Sequence, residues 1–202
     1  MKIDKLVVGM LEVNCYLVWN QDTGDGFIID PGSEAEMIAD RVDELGFKPR
    51  GILLTHGHVD HILAVPELAS KYGISVRLQP DEESLYFSPQ NELPPWLPPA
   101  EKLPSPEDVR DDLEGLCFTV YPTPGHTRGG CSYFFAEDEV VFTGDTLFCG
   151  GVGRTDLPGG DHSMLLNSIR DKLLTLPEKT VVYPGHGPKT TIEREANDNP
   201  FL

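Results

Sequence analysis

Residues 55–61 read Thr-His-Gly-His-Val-Asp-His, and within them the span 56–61 holds three imidazoles and one carboxylate. One ion cannot easily draw four ligands from so short a stretch. The run asks for two metal ions side by side, each completed from elsewhere in the chain. That demand constrains the fold, because distant segments must return to one place. Three segments answer it. The apolar run 116–121 leads into Pro122-Thr123-Pro124-Gly125-His126, the run 140–143 into Gly144-Asp145, and the run 180–183 into Pro184-Gly185-His186. Each donor stands just past an expected strand and beside a glycine, where a rigid scaffold presents ligands on loops. The one histidine outside this pattern, His162, lies near an expected helix start and is read as solvent-facing.

The rest of the chain supplies the scaffold. Residues 6–9, 15–19 and 26–30 read as strands of a meander separated by Asn, Asp and Gly turns. Residues 34–46 show helical spacing at Met37, Ile38, Val42 and Leu45, with Ser33 as N-cap and Gly46 as stop. A strand at 51–55 runs into the histidine cluster, a helix is expected over 60–72, a strand at 74–78 and a short helix at 81–87. The segment 88–106 holds seven of the eighteen prolines and little periodicity. It reads as a surface excursion from a single domain spanning 1–202. Strands follow at 116–121, 131–136 and 140–143, then a helix from the Asp161 cap to about 175 with Leu165, Ile169 and Leu173 inward, and a strand at 180–183. Alternating strands and helices give an α/β or α+β class, with two sheets possible.

The spacing inside the cluster divides it. His56 and His58, two apart in an extended chain, point the same way and reach one ion together with His126. Asp60 and His61 follow where the chain turns into a helix, and they suit a second ion together with His186. Asp145 is placed between the ions, since a carboxylate has two oxygens and its charge lowers their repulsion. Nitrogen and carboxylate donors without thiolate suit zinc first, with iron or manganese as alternatives. Two divalent ions roughly 3.5–4 Å apart can hold a hydroxide between them, and their open face polarises a carbonyl. Asp60, which also orients that hydroxide, and Asp145 are the catalytic candidates. Arg154 and Arg128 are candidates for gripping a substrate carboxylate; the competing reading pairs Arg154 with Asp156. Cys149 is read as a packed thiol. The proline-rich segment, with Trp96 inside it and Tyr86 and Phe87 just before it, is either a lid over an apolar acyl pocket or a surface or subunit-contact loop.

Composition excludes several classes. Formal net charge is −17 over 202 residues, which repels phosphate backbones and leaves no basic run for nucleic acid. No apolar stretch approaches the ~20 residues of a membrane span, and the amino terminus lacks the pattern of a signal peptide. The four widely spaced cysteines form no C-x-x-C and are read as buried free thiols in a reducing cytoplasm. The expected partner is a small molecule; oligomeric state is not legible.

The pattern Thr-His-x-His-x-Asp-His with distal His126, Asp145 and His186 resembles the metallo-β-lactamase superfamily over nearly the whole chain, and the seven ligand positions match it one by one. The resemblance implies a four-layer αββα sandwich with the site along one edge. Asp145 stands where thiolate-using lactamases carry Cys, and His58 where the flavo-diiron branch usually carries Glu. Within the superfamily the chain is similar to small bacterial glyoxalase II-like hydrolases, through Thr123-Pro124-Gly125-His126-Thr127, Gly144-Asp145-Thr146-Leu147-Phe148, Gly153-Arg154-Thr155-Asp156 and Tyr183-Pro184-Gly185-His186-Gly187. That resemblance implies hydrolysis of S-acylglutathione-type thioesters (hydroxyacylglutathione hydrolase activity) by a metal-bridging hydroxide. Classical members carry a C-terminal helical domain that grips glutathione, whereas sixteen residues follow His186 here, so the thiol stays open. Rival expectations are a mononuclear iron persulfide dioxygenase, which shares the Gly-Arg-Thr-Asp run, a lactone or phosphodiester hydrolase, and a non-catalytic metal-binding protein.

Overall fold

Parallel neighbours in a sheet need a crossover between them, and the two crossovers near the amino terminus organise the first part of this chain. The computed structural model describes residues 1–109 and 115–202. The chain divides into two units, Met1–Cys117 and Phe118–Leu202.

The first unit runs β1 (Lys2–Val8), β2 (Val13–Trp19), β3 (Asp25–Ile29), α1 (Ala35–Leu45), β4 (Lys48–Leu53), α2 (Val65–Tyr72), β5 (Ser75–Arg77) and α3 (Glu83–Tyr86). Its five strands lie in sequence order. β1, β2 and β3 pair antiparallel, as short turns allow. β3, β4 and β5 pair parallel across α1 and α2. Both helices are amphipathic. Ile38, Ala39 and Val42 of α1 and Val65, Leu68 and Ala69 of α2 pack on Leu17, Ile28, Ile52 and Val76. The alternate strand residues Tyr16, Val18, Phe27, Ile29 and Leu53 are buried as well. Strands buried on both faces read as apolar runs rather than alternations, which is why the sequence shows runs here.

Two local expectations are corrected. Ser33 does not cap α1. Glu34 holds the N-cap in the left-handed conformation, φ 56°, and makes no side-chain cap; its carboxylate accepts from the Gly9 N–H instead, at 3.0 Å. Nor is 60–72 one helix. Val59–His61 forms a single 3-10 turn, and α2 starts afresh at Val65 with Pro66 in its first turn. Proline has no N–H to donate and fits only that first turn, so Pro66 sets the break.

The second unit runs β6 (Thr119–Pro122), β7 (Cys131–Phe135), β8 (Val140–Gly144), β9 (Leu147–Phe148), β10 (Gly151–Val152), α4 (His162–Ser168), β11 (Val181–Pro184), β12 (Thr190–Thr191) and α5 (Ile192–Asp198). Its main sheet has the order β12-β11-β8-β7-β6, and β9 and β10 form a separate ribbon. Asp161 caps α4 by accepting the Met164 N–H at 2.9 Å. The helix continues as a wide π turn over Ile169–Leu173. Leu165, Ile169 and Leu173 are buried against Phe134, Val141 and Val182, as their spacing predicts. Phe118, Tyr133, Phe135, Phe142 and Tyr183 form a run of ring contacts. Each unit is thus a five-stranded mixed sheet with packed helices, the components an αββα sandwich requires.

Cys15 and Cys131 are buried and Cys149 is half-buried, but Cys117 is exposed, against the expectation of four buried thiols. Among the described residues no helix is long and apolar enough to cross a membrane.

Candidate metal centre

In the first unit the donors leave the sheet at the end of β4. Its parallel neighbour β3 ends just before Asp30, so Asp30 comes to lie beside Thr55. The Thr55 N–H donates to Asp30 Oδ1 at 2.8 Å and the Thr55 hydroxyl to Asp30 Oδ2 at 2.6 Å. The same hydroxyl oxygen is 3.0 Å from His56 Nδ1. Its hydrogen is already given to Asp30, so it accepts from His56, which assigns the imidazole proton to Nδ1 and leaves Nε2 unprotonated. His61 Nδ1 stands 3.2 Å from Asp30 Oδ2, and a carboxylate there favours the same tautomer. Thus Asp30 orients both rings through the nitrogen that faces away from a metal, as outer carboxylates do at histidine-ligated ions. The His56 ring lies 4.9 Å from that of His58 and 4.2 Å from that of His61, and His61 Nε2 lies 3.8 Å from Asp60 Oδ2.

Side chains from further along hold the loop itself. Glu82 accepts the Gly57 N–H at 2.8 Å. Asn91 accepts the Val59 N–H at 3.0 Å and donates to the Gly57 carbonyl at 2.7 Å. Both are buried. Asn91 belongs to the proline-rich segment, so the start of that segment braces the histidine loop. On the Asp60 side a Cβ built at Gly32 would fall 2.0 Å from the Asp60 carbonyl oxygen; only glycine permits that approach.

The second unit delivers its donors at three strand exits, after β6, β8 and β11. His126 Nε2 lies 3.6 Å and His186 Nε2 3.5 Å from the same oxygen, Asp145 Oδ2. These distances are too long for good hydrogen bonds. They match the ~3.4 Å edge of a tetrahedron of ligands with bonds of about 2.0–2.1 Å. His126 Nδ1 donates to the Arg154 carbonyl at 2.7 Å, so its Nε2 is also the unprotonated nitrogen. A Cβ at Gly153 would fall 1.9 Å from the Asp145 carbonyl oxygen and 3.3 Å from His126 Cβ. Phe148 meets the His186 ring edge-on, with centroids 6.2 Å apart.

The two candidate arginines differ. Arg154 grips Asp156 with two hydrogen bonds of 2.7 Å each. Those bonds push the Asp156 carboxyl down to about 2 and raise Arg154 above its usual range. Arg128 is exposed and forms no ion pair among the described residues. Burial, with Asp30 adding to it, pushes the Cys15 thiol well above its ordinary range, so Cys15 is inert filling behind the site.

The sequence model of the metallo-β-lactamase superfamily matches residues 8–186, a span that takes in every one of these donors. The chain belongs to the metallo-β-lactamase superfamily. It is 39% identical to the hydroxyacylglutathione hydrolase GloC of Haemophilus influenzae, over 100% of this chain and 98% of the relative. Among solved structures, BLEG-1, a B3 metallo-β-lactamase, superposes with a TM-score of 0.89 at 39% identity, covering 100% of this chain and 99% of that one. TTHA1623 in a di-iron-bound form gives a TM-score of 0.88 at 38% identity, covering 98% of this chain and 100% of that one. The metallo-β-lactamase fold is therefore that of this chain. Its donor groups of imidazole and carboxylate suit divalent ions.

Sequence reasoning singled out these seven side chains as candidate donors and passed over Asp30, Glu82 and Asn91, which hold the first unit's loop. Asp30 carried a usable signal, since like the distal donors it stands at a strand exit beside Pro31 and Gly32. Glu82 and Asn91 carried none, because their partners are backbone groups of a distant loop.

Proposed function

We propose that this metallo-hydrolase cleaves thioesters of the S-acylglutathione type. His56, His58 and His126 would hold one divalent ion and Asp60, His61 and His186 a second, with Asp145 as the carboxylate available to both. The observation that carries the reading is the convergence of His126 and His186 on one oxygen of Asp145, joined to the 39% identity with a hydroxyacylglutathione hydrolase along the full chain. Zinc is the first choice of ion; the di-iron form of TTHA1623 gives iron a claim of its own.

When bound, the ions supply a nucleophile at neutral pH and a Lewis acid for the carbonyl. The protein's part is to place and hold. Asp30 and the Arg154 carbonyl fix the proton of His56, His61 and His126 on Nδ1, so each ring presents Nε2. Asp60 accepts a hydrogen bond from the attacking oxygen and sets its line of approach. Arg128, an exposed cation with no ion pair among the described residues, holds a carboxylate of the leaving thiol. The thiol leaves as thiolate, a better leaving group than an alkoxide, so no strong general acid is required of the chain.

The identity with BLEG-1 favours a second reading, β-lactam hydrolysis on the same donors. One experiment separates the two. Protein loaded separately with zinc and with iron is analysed for metal content, then offered S-lactoylglutathione, simple acyl thioesters and a chromogenic cephalosporin. About two ions per chain and a kcat/KM for thioesters at least tenfold above that for the cephalosporin are expected. The reverse ranking would replace the thioester reading. Oxygen uptake with glutathione persulfide on a single iron would replace both.

A further inference from the structure

The stretch after His186 contributes no candidate donor, yet it buries a carboxyl group. Glu195 on α5 is 1% exposed. Such a group is tolerated inside a protein only where hydrogen bonds replace its water, and here the partners reveal its task. Glu195 Oε2 accepts the Gly150 N–H at 2.9 Å and the Asn199 side-chain amide at 2.7 Å, and Oε1 accepts the Thr190 hydroxyl at 2.6 Å. Asn199 is buried too. Its amide nitrogen also donates to the Gly151 carbonyl at 3.1 Å, and its Oδ1 accepts the Phe201 N–H at 3.0 Å. Every polar atom of these two side chains is therefore used, and two of the bonds end at one place, the outer end of the β9–β10 ribbon.

That ribbon pairs only Leu147 with Val152 and Phe148 with Gly151. A hairpin so short does not hold itself. It is pinned at both ends instead. At its root the Gly153 N–H donates to the Thr146 carbonyl at 3.2 Å, and Gly153 presses on the Asp145 carbonyl and on His126 Cβ. At its tip stand Glu195 and Asn199. Between root and tip, Phe148 meets the edge of the His186 ring. That ring has less surrounding it than its counterpart: the His186 side chain is 28% exposed against 6% for His126. Its orientation therefore leans on Phe148, and Phe148 leans on the anchored ribbon.

We infer that Glu195 is a positioning residue of the metal centre. With Asn199 it ties the ribbon down from behind, so that Phe148 stays against His186 and Gly153 stays against Asp145. The inference rests on the metal-centre reading of the preceding section and extends that centre to a residue beyond all of its donors.

The test compares the native protein with Glu195→Ala, Glu195→Gln, Asn199→Ala and Phe118→Leu. Phe118 is buried in the same unit and packs its ring on Tyr133 and Phe135, so its truncation loosens the unit without removing a bond of Glu195. The first readout needs no metal. In metal-free protein carrying isotope-labelled histidine, the His186 ring resonances should move in Glu195→Ala and in Asn199→Ala and stay in place in Phe118→Leu. They should return in Glu195→Gln, whose amide oxygen can take the Gly150 and Asn199 donors while its nitrogen donates to the Thr190 oxygen. The second readout is zinc affinity by chelator competition. Glu195→Ala should bind zinc about tenfold more weakly, Asn199→Ala should lose less, and Phe118→Leu and Glu195→Gln should match the native protein. The inference is overturned if His186 is unmoved in Glu195→Ala, if zinc binds that variant as tightly as Phe118→Leu, or if Glu195→Gln is as damaged as Glu195→Ala. Should Glu195→Ala fail to fold, Asn199→Ala decides, and an unmoved His186 there overturns it. If the native protein binds neither zinc nor iron, the metal-centre reading itself is lost, while the His186 resonances still show whether Glu195 positions that ring.

Discussion

The two units reach similar ends by different means. The first gathers four candidate donors on one loop and braces that loop with buried side chains, Asp30, Glu82 and Asn91. The second takes one donor from each of three strand exits and braces them with backbone, the Arg154 carbonyl on His126 and the Cα of Gly153 against Asp145. A crowded loop has too few backbone contacts of its own and must borrow side chains. Donors at strand ends inherit their positions from the sheet and need only close packing. Errors should therefore propagate differently: gradually where side chains brace the first unit's loop, since each brace is one of several, and abruptly where a single close approach is involved, as at Gly153 in the second unit and at Gly32 against Asp60 in the first.

The strongest way to break this comparison is Asp145→Ala. It removes the oxygen on which both histidines converge, and we expect a fall of at least about 100-fold in activity with less than two metal ions per chain by elemental analysis. Full metal content with native turnover would take Asp145 out of the centre. Next comes Gly153→Ala, where the new Cβ cannot coexist with the Asp145 carbonyl. A loss of about 2–4 kcal/mol should appear as a melting point lower by several degrees, together with lost metal. If Gly153→Ala melts like the native protein, backbone packing is not what holds the second unit's donors. Asn91→Ala should act more gently. It strands one loop N–H and one carbonyl, for about 1–3 kcal/mol, and chelator competition should find metal affinity lower by about tenfold. A total loss of metal there would erase the distinction between the units.

The smallest effect is expected from Arg154→Ala, since its carbonyl, which the substitution keeps, is what holds His126. The ion pair with Asp156 is exposed and worth little. The lowered Asp156 carboxyl contributes above its unfolded value near 3.9 and lapses only as pH falls through about 2. Between pH 5 and 9 the variant should therefore match the native melting curve within about 2 °C. A raised KM for carboxylate-bearing thioesters in Arg154→Ala, and not in Arg128→Ala, would reverse the roles given to the two arginines.

The candidate donors could be picked out because ligand chemistry restricts residue type and because strand exits announce themselves as an apolar run followed by glycine. His126, Asp145 and His186 were singled out that way, a long distance apart in sequence, and the structure brings the three side chains together. The helix starting at Asp161 was legible because its cap and its buried residues agree. The break before α2 was hidden by the apolar residues Ile62, Leu63 and Ala64, which continue a helical pattern across it; Pro66 alone marked the true start. The β9–β10 ribbon and β12 were invisible, since two-residue strands are shorter than any period. Asn91 was masked by the prolines around it, which made its neighbourhood read as surface.

The Asp30 carboxylate, finally, is a shared part. It sets the tautomer of His56 through Thr55 and faces His61 directly, and these two rings are assigned to different ions. Anyone wishing to empty one metal position while leaving the other loaded should therefore work from the other unit, on His126 or His186. Asp30→Asn would replace one acceptor with an amide and disturb two coordination spheres in a single substitution. It is a poor tool for dissecting the pair and a good one for abolishing it.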